Sequence, residues 1–222
     1  MRILATAAAA LMLGAGAASA QDTGSARVTL DPMFQDHAVV QRDRTIPVWG
    51  TAAPGTQVEA RLAGHSGSAV SDSGGNWRID LPALPAGAGH VLTIGSAGSI
   101  TETVSDIAAG DVFLCSGQSN MEFEVRKTAN AESEIANAND ADLRLLGVAR
   151  ASLPIPRIAP ARVGTWSATT PESVKDFSAA CYFMGRELRG QHPDVPVGLI
   201  AASWGGSVIE DWIDEPGLRA LG

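Results

Sequence analysis

The sequence predicts two regions of different architecture: an all-β, β-sandwich-like region followed by an α/β region built on a parallel sheet. From Val28 to Ser105, short segments alternate apolar and polar residues, as strands with one solvated face do. Turn signals such as Ala53-Pro54-Gly55 separate these segments at intervals of roughly 8–12 residues, which is typical of a sandwich. From Gly110 onward, apolar strands alternate with helical patterns, which indicates a parallel sheet.

Eight candidate strands fill the first region, and no helical period appears there. These strands are Val28–Leu30, Ala38–Gln41, Ile46–Gly50, Gln57–Leu62, Ser68–Val70, Trp77–Leu81, Val91–Ile94 and Ile100–Val104. The pattern changes near residues 106–110. We therefore predict a first domain over residues 21–108 and a second domain over residues 109–222.

The second region contains three apolar strands and several helical patterns. The strands are Val112–Cys115, Leu143–Val148 and Val195–Ala201. Helices are predicted over Ala129–Asn139, through the helically spaced residues Phe177, Ala180, Cys181, Met184 and Leu188, and from Val208–Trp212 onward.

Two kinds of signal mark the limits of these elements. Asp176 or Ser178 could cap the second helix, and Gly190 could close it. The segment Ser152–Thr170 holds three prolines and little periodicity, so we predict a loop there.

The first 20 residues have the pattern of a secretory signal peptide. Arg2 precedes an apolar stretch over Ile3–Ala17, and Ala18-Ser19-Ala20 supplies a small-residue cleavage site. This pattern favours a signal peptide over a buried N-terminal helix, and it predicts a secreted or periplasmic protein. No later stretch reaches the roughly 18 apolar residues of a membrane span.

The three strands of the second region are few for an open parallel sheet, since a typical sheet has about 5–6 strands. We therefore expect residues 1–222 to be the front part of a longer protein.

Composition excludes some partners and leaves others open. The net charge is −8, lysine occurs only at positions 127 and 175, and no basic stripe is present, so a nucleic-acid partner is not expected. Export would permit a disulfide between Cys115 and Cys181. Both cysteines lie in apolar patterns, however, and we expect two buried thiols instead. No Cys/His cluster has zinc spacing, so no metal site is expected.

The strongest functional signal is a serine in the loop after the first apolar strand of the second region. Ser119 follows Val112–Cys115 and is flanked by Gly117, Gln118 and Asn120. The carboxyl end of a buried strand is where an open α/β sheet presents a nucleophile. The loop lacks the Gly-x-Ser-x-Gly elbow, and a serine at this point is equally suited to be a helix N-cap.

A second signal follows the strand Val195–Ala201. Gly205 and Gly206 lie at its carboxyl end, where glycine backbone amides could complete an oxyanion hole. A glycine turn required only by backbone geometry is the alternative interpretation, and the spacing does not separate the two.

Four segments resemble the sialate O-acetylesterase family of the SGNH (GDSL-like) hydrolase superfamily. Cys115-Ser-Gly-Gln-Ser-Asn-Met-Glu-Phe123 is similar to its nucleophile block, and Ser203–Trp212 resembles its second block. Met33–Gly50 and Gly75-Asn76-Trp77 before Leu81-Pro82 match its N-terminal β-rich region. The resemblance covers essentially the whole chain after residue 20.

The resemblance implies a flavodoxin-like α/β/α second domain and a serine esterase. Ser119 would be the nucleophile, and its own N–H, with that of Gly205 or Gly206, would bind the oxyanion. The reaction would remove O-acetyl groups from sialic acids or related carbohydrates through an acyl-enzyme, without a metal or organic cofactor. The rival interpretation is a non-catalytic carbohydrate-binding or scaffold protein.

Two parts of the family pattern do not occur in residues 1–222. The superfamily's later blocks supply an oxyanion-binding polar side chain and an Asp-x-x-His segment that carries the base. The histidines here, His37, His65, His90 and His192, lie in the β-rich region or between a helix and the last strand, so we expect none of them to act as the base. We therefore expect little esterase activity from these residues alone.

Glycosidase chemistry on a pair of carboxylates drawn from Glu122, Glu210 and Asp211 is not favoured. Glu210 and Asp211 are adjacent on a predicted helix, so their side chains point apart.

Overall fold

The computed structural model describes residues 27–150 and 163–221. The predicted signal peptide, residues 1–20, lies outside the described residues, as do positions 152–162 of the predicted loop. In the described part of the chain, no helix combines the length and the apolar character needed to cross a bilayer.

The first region is made of eight strands and no helix among its described residues. They are β1 (Thr29–Leu30), β2 (Val39–Gln41), β3 (Ile46–Thr51), β4 (Gln57–Leu62), β5 (His65–Val70), β6 (Asn76–Leu81), β7 (Gly87–Ser96) and β8 (Ser99–Gly117). Each predicted strand is present, because alternating burial follows the alternating sequence, as in β4 and β6.

Two sheets share the core of this region. Antiparallel β1, β3 and β6 form one sheet, while β5, β4, β7 and β8 form an antiparallel run in the other, with β2 parallel to β8. Inward-facing apolar residues of both sheets pack in one cluster that includes Val48, Ile79, Val58, Leu92 and Val104. Burial of this shared apolar surface holds the two sheets together.

The second region mixes short helices with three further strands. Its elements are α1 (Ser119–Glu122), α2 (Ala131–Ala136), β9 (Asp140–Gly147), β10 (Ser167–Thr169), α3 (Pro171–Val174), α4 (Ala179–Gln191), β11 (Val197–Ser203) and α5 (Glu215–Leu221), with 3-10 turns at Val125–Lys127 and Ile209–Trp212.

Three details of the second region differ from the sequence prediction. The edge strand β10 lies inside the predicted loop and pairs antiparallel with β9. Gly190 lies within α4 and does not close it. At the start of α4, the Ser178 side chain accepts a hydrogen bond from the Cys181 N–H, so Ser178 is the cap and Asp176 is not.

Strands β8, β11 and β9 are parallel, and β11 lies between the other two. Ser203 at the end of β11 is opposite Gly117 at the end of β8, and Ala201 is opposite Gly147 at the end of β9. The carboxyl ends of all three strands therefore meet at one edge of the sheet. A flavodoxin-like order would place the first strand, β8, between its successors, so the observed order does not match that finer prediction.

One long strand connects the two regions. The first part of β8 pairs with β7 antiparallel, whereas Asp111–Gly117 pairs with β11 in parallel. The predicted boundary at residues 108/109 thus falls inside a continuous strand. The change of partner occurs beside Gly110, where an added Cβ would lie 2.0 Å from the Pro196 carbonyl oxygen. Glycine permits this close approach of the two backbones.

The two faces of the parallel sheet are covered differently. On one face, α4 packs through Cys181 and Tyr182 against Leu143 and Leu199 in a second core cluster. On the other face, Trp166 lies in the core of the first region, and its Nε1–H donates to the Met33 carbonyl at 3.1 Å. The N-terminal region therefore supplies part of the second cover that a parallel sheet requires.

The prediction that Cys115 and Cys181 are separate thiols is wrong, because they form a disulfide with a Cα separation of 6.0 Å. Each apolar pattern correctly indicated burial. The sequence could not show that the end of β8 and the first turn of α4 face each other in the same core. The bridge joins the strand that leads to Ser119 to the helix that covers the sheet.

Candidate functional site

The loop after β8 presents Ser119 at the sheet edge. Ser119 is exposed and is the first residue of α1, while Gln118 occupies the N-cap position without a side-chain cap. The interpretation of Ser119 as a helix N-cap is therefore wrong. Among the described residues, its hydroxyl has no hydrogen-bond partner, so the oxygen is accessible to a substrate.

The loop after β11 lies directly against the Ser119 loop. The Trp204 N–H donates to the Gly117 carbonyl at 2.9 Å, which extends the β8–β11 pairing one residue beyond the strands. A Cβ placed on Gly205 would lie 3.7 Å from the Ser119 Cα. The structure thus brings together the two loops that the sequence singled out.

The two candidate oxyanion glycines have different surroundings. The Gly205 N–H donates to Glu122 Oε2 at 2.6 Å, so this amide is already engaged. Gly206 is exposed, has a φ of +84°, and has nothing within 4 Å of an added Cβ. Because glycine adopts a positive φ without steric cost, the geometry of this turn explains glycine at position 206. Its N–H donates to no other described residue.

Two residues that the sequence reasoning did not assign complete this edge. Glu122 ends α1, and its Oε1 forms an ion pair with Arg150, which follows β9. Both line a cleft of about 250 Å³ together with Met121, Phe177 and Ser203. The signal available for Arg150 is its place after the second parallel strand, β9, because loops at that edge converge. Glu122 lies within the nucleophile block, but the sequence suggested for it only a role in a pair of catalytic carboxylates.

A second carboxylate lies beside this cleft. Hydrogen bonds from Arg126 and then Lys127 lower the pKa of Glu124 to about 2. Glu124 is thus charged at neutral pH and forms ion pairs with Arg126 and Lys127. Glu124 is therefore not a candidate acid or base for a substrate at Ser119. Asp211 Oδ2 accepts the Val208 N–H at 3.0 Å in a local turn.

None of the four histidines contacts Ser119. His192 follows α4 at the amino end of β11, and His65 begins the exposed strand β5. His90 lies on β7, with its Nε2 buried and without a hydrogen-bond partner among the described residues. These positions agree with the expectation that none is the base.

His37 belongs to a separate cluster at the start of the parallel sheet. Its Nδ1 lies 2.7 Å from Asp106 Oδ2, and Arg144 also contacts Asp106. Burial opposes ionisation of Asp106, but the hydrogen bond from His37 and the charge of Arg144 outweigh it and lower its pKa. Asp106 precedes Gly117 by eleven residues on β8, so the cluster lies in a different part of the strand from the Ser119 loop.

Other candidate features have ordinary structural explanations. Trp77 and Trp166 are core residues, and Trp49 packs edge-on against Phe34 with ring centroids 4.6 Å apart. Trp204 and Trp212 remain partly exposed at the rim of the site. Among residues 27–150 and 163–221, no group of three His, Cys, Asp or Glu side chains is arranged to hold a metal ion.

Comparison with known proteins finds similarity to carbohydrate acetylesterases. A family model described as a carbohydrate esterase, sialic acid-specific acetylesterase, matches residues 109–219. The human sialate O-acetylesterase is 33% identical over 192 residues, covering 79% of this chain and 36% of the relative. The mouse sialate O-acetylesterase is 30% identical over 207 residues, covering 85% and 38%.

A solved structure agrees with these relatives. The crystal structure of a carbohydrate acetylesterase from Xanthomonas citri is similar with a TM-score of 0.82 and 36% sequence identity. The match covers 86% of this chain and 43% of that one. This chain therefore spans well under half the length of the relatives it matches.

Proposed function

This chain belongs to the family of sialic acid-specific carbohydrate acetylesterases, and from that membership we propose that the protein is a serine esterase. Its substrate would be an O-acetyl group on sialic acid or a related carbohydrate. Ser119 would be the nucleophile. The observation that carries the proposal is the contact between the Ser119 loop and the Trp204–Ser207 loop at the edge where the parallel strands end.

In the proposed reaction, the Ser119 hydroxyl oxygen attacks the acetyl carbonyl carbon while a base removes its proton. The negative charge on the carbonyl oxygen is bound by backbone N–H groups, those of Ser119 and Gly206. Collapse of this intermediate releases the sugar hydroxyl, which takes the proton, and leaves an acetyl-enzyme. Water then attacks the acetyl group by the same route and releases acetate. No cofactor takes part in these steps.

The base would come from a segment outside residues 1–222. The positions of His37, His65, His90 and His192 support this, since each lies away from Ser119. Residues 1–222 alone should then hydrolyse acetyl esters weakly, because loss of the base removes several orders of magnitude in rate, although an oxyanion hole leaves a residue of activity. We further propose that the protein is exported, on the pattern of residues 1–20, and that its first region is a β-sandwich.

The test is hydrolysis of acetylated sialic acid and of a simple acetyl ester by a longer form of the protein and by residues 21–222. We expect the longer form to be active and Ser119→Ala to reduce its turnover at least about 10³-fold. The shorter form should be nearly inactive. Full turnover by residues 21–222, abolished by Ser119→Ala, would refute the missing base, and turnover that survives Ser119→Ala would refute the nucleophile.

A non-catalytic carbohydrate-binding protein remains the second candidate. Trp204 and Trp212 favour it, because both are partly exposed on or beside the Trp204–Ser207 loop, and exposed tryptophans can stack on sugar rings. Labelling of the longer form of the protein with a fluorophosphonate separates the two functions, because that form would contain the base. An activated serine reacts covalently at Ser119, whereas a pure binding protein retains the sugar and does not react.

A further inference from the structure

Glu122 touches the loops that follow all three parallel strands. It belongs to the loop after β8, its Oε2 accepts the Gly205 N–H from the loop after β11 at 2.6 Å, and its Oε1 pairs with Arg150 after β9. No other carboxylate among the described residues has contacts to these three loops. One side chain thus connects the parts of the site that come from distant positions in the sequence.

The fit between Glu122 and Gly205 is tight. A Cβ on Gly205 would lie 2.4 Å from Glu122 Oε2, a distance at which the carboxylate could not stay. A side chain at position 205 would therefore displace the carboxylate from the Gly205 N–H. No special φ is involved, since only Gly206 has a positive φ in this loop. The two glycines serve different purposes.

A carboxylate is well suited to hold this loop. Hydrogen bonds to a charged acceptor are shorter and stronger than those between neutral groups. Arg150 neutralises the charge of Glu122, and the Glu122 side chain is only 27% exposed. With the Gly205 amide fixed in this way, the amide of the next residue, Gly206, stays without a partner among the described residues.

We propose that Glu122 is a positioning residue that fixes the Trp204–Ser207 loop against Ser119 and so directs the Gly206 amide to the oxyanion. This inference rests on the proposed esterase function, and it assigns the oxyanion contact to Gly206 and the structural contact to Gly205. Glu122 itself does not touch the reacting atoms. The opposing possibility is that Glu122 blocks an oxyanion site formed by Gly205.

The test compares Glu122→Ala, Glu122→Gln and Glu122→Asp with the control Glu132→Ala in ¹⁵N-labelled residues 21–222. Glu132 is exposed on α2 and forms no ion pair among the described residues. The Gln variant keeps an oxygen that can accept the Gly205 N–H. The Asp variant keeps the charge but withdraws it by one methylene. Circular dichroism establishes that each variant is folded.

Two readouts decide the question. In the Ala and Asp variants, the Gly205 amide should exchange at least about tenfold faster and the Gly206 resonance should move. The Gln variant, with a neutral acceptor, should fall between them and the parent, and the control should stay close to the parent. Covalent labelling of Ser119 by a fluorophosphonate should slow at least about tenfold in the Ala variant, since a small misplacement of a site costs rate steeply, and stay within about threefold in the Gln variant.

Opposite results would overturn the proposal. If Glu122→Ala labels as fast as the parent or faster, Glu122 blocks the site and does not position it. If the Gly205 and Gly206 amides are unchanged in the Ala and Asp variants, Glu122 does not fix the loop. Should the parent chain itself resist labelling, the missing base accounts for it, and the amide exchange alone then decides the role of Glu122.

Discussion

The two regions of this molecule bury their sheets in different ways, although one strand runs through both. In the first region, two sheets face each other across one apolar core. In the second region, α4 covers one face of the parallel sheet. Residues of the first region, such as Met33, which accepts the Trp166 Nε1–H, cover part of the other face. Leu114, at the far end of β8, is 66% exposed. The comparison teaches that the first region also serves as a cover for the second.

The difference places the candidate site. Strand ends that project beyond a covered sheet leave their loops free to carry reactive groups, and Ser119, Glu122 and Gly205 all lie on such loops. The first region has no comparable edge, because its strands mostly return through tight turns. The predictions below test this contrast, beginning with the largest effect.

The one-sided cover of the second region can be tested with two leucines on neighbouring strands. Leu199→Ala removes a fully buried side chain beneath α4 and should lower the free energy of unfolding by about 2–5 kcal/mol. Leu114→Ala removes an exposed side chain and should change it by less than about 0.5 kcal/mol. Urea unfolding of residues 21–222 measures both. Equal losses would mean that the Leu114 face is covered in solution.

The disulfide occurs in the region with the weaker cover, and its removal should be costly. Cys115 and Cys181 are 66 residues apart, so the bridge restricts the unfolded chain strongly. Cys181→Ala should lower the free energy of unfolding by about 2–4 kcal/mol. Urea unfolding with and without dithiothreitol provides the control, because the reductant should destabilise the parent and leave the variant unchanged. A parent that is insensitive after complete reduction would contradict this.

Strand β8, which both regions share, should be most sensitive to substitution where its pairing partner changes from β7 to β11. Gly110→Ala would place a Cβ against the Pro196 carbonyl and force β8 and β11 apart, at a cost of about 1–3 kcal/mol. Gly147→Ala is the matched control, because nothing lies within 4 Å of a Cβ at the end of β9. Thermal unfolding of both variants measures the difference. If both shift the midpoint equally, the close approach at Gly110 has no energetic weight.

The success of the sequence predictions differed between the two regions for a physical reason. In the first region, strand alternation is a local signal, and β4 and β6 follow it residue by residue. In the second region, β10 is an edge strand of three residues in a proline-containing segment, and so short a run has no readable period. The end of α4 was also misplaced, because Gly190 is tolerated inside a helix that tertiary contacts hold.

For the site, the sequence located the loops but not their contacts. Ser119, Gly205 and Gly206 stand after apolar strands, and parallel strands bring such positions to one edge. The assignment of each amide could not be predicted, because it depends on where the side chain of Glu122 points. The order of the strands could not be predicted from local sequence patterns either. A flavodoxin-like order has β8 between β9 and β11, whereas β11 is the central strand in the structure.

Local periodicity alone determined the strands of the first region, the change of pattern near residue 110 and the position of Ser119 at a strand end, since each depends on neighbouring residues. Only the tertiary structure decided that Cys115 meets Cys181 and that Glu122 holds the Gly205 amide. These partners are 66 and 83 residues apart in the chain. Such contacts arise when the sheet and helices pack, and no spacing in the sequence encodes them.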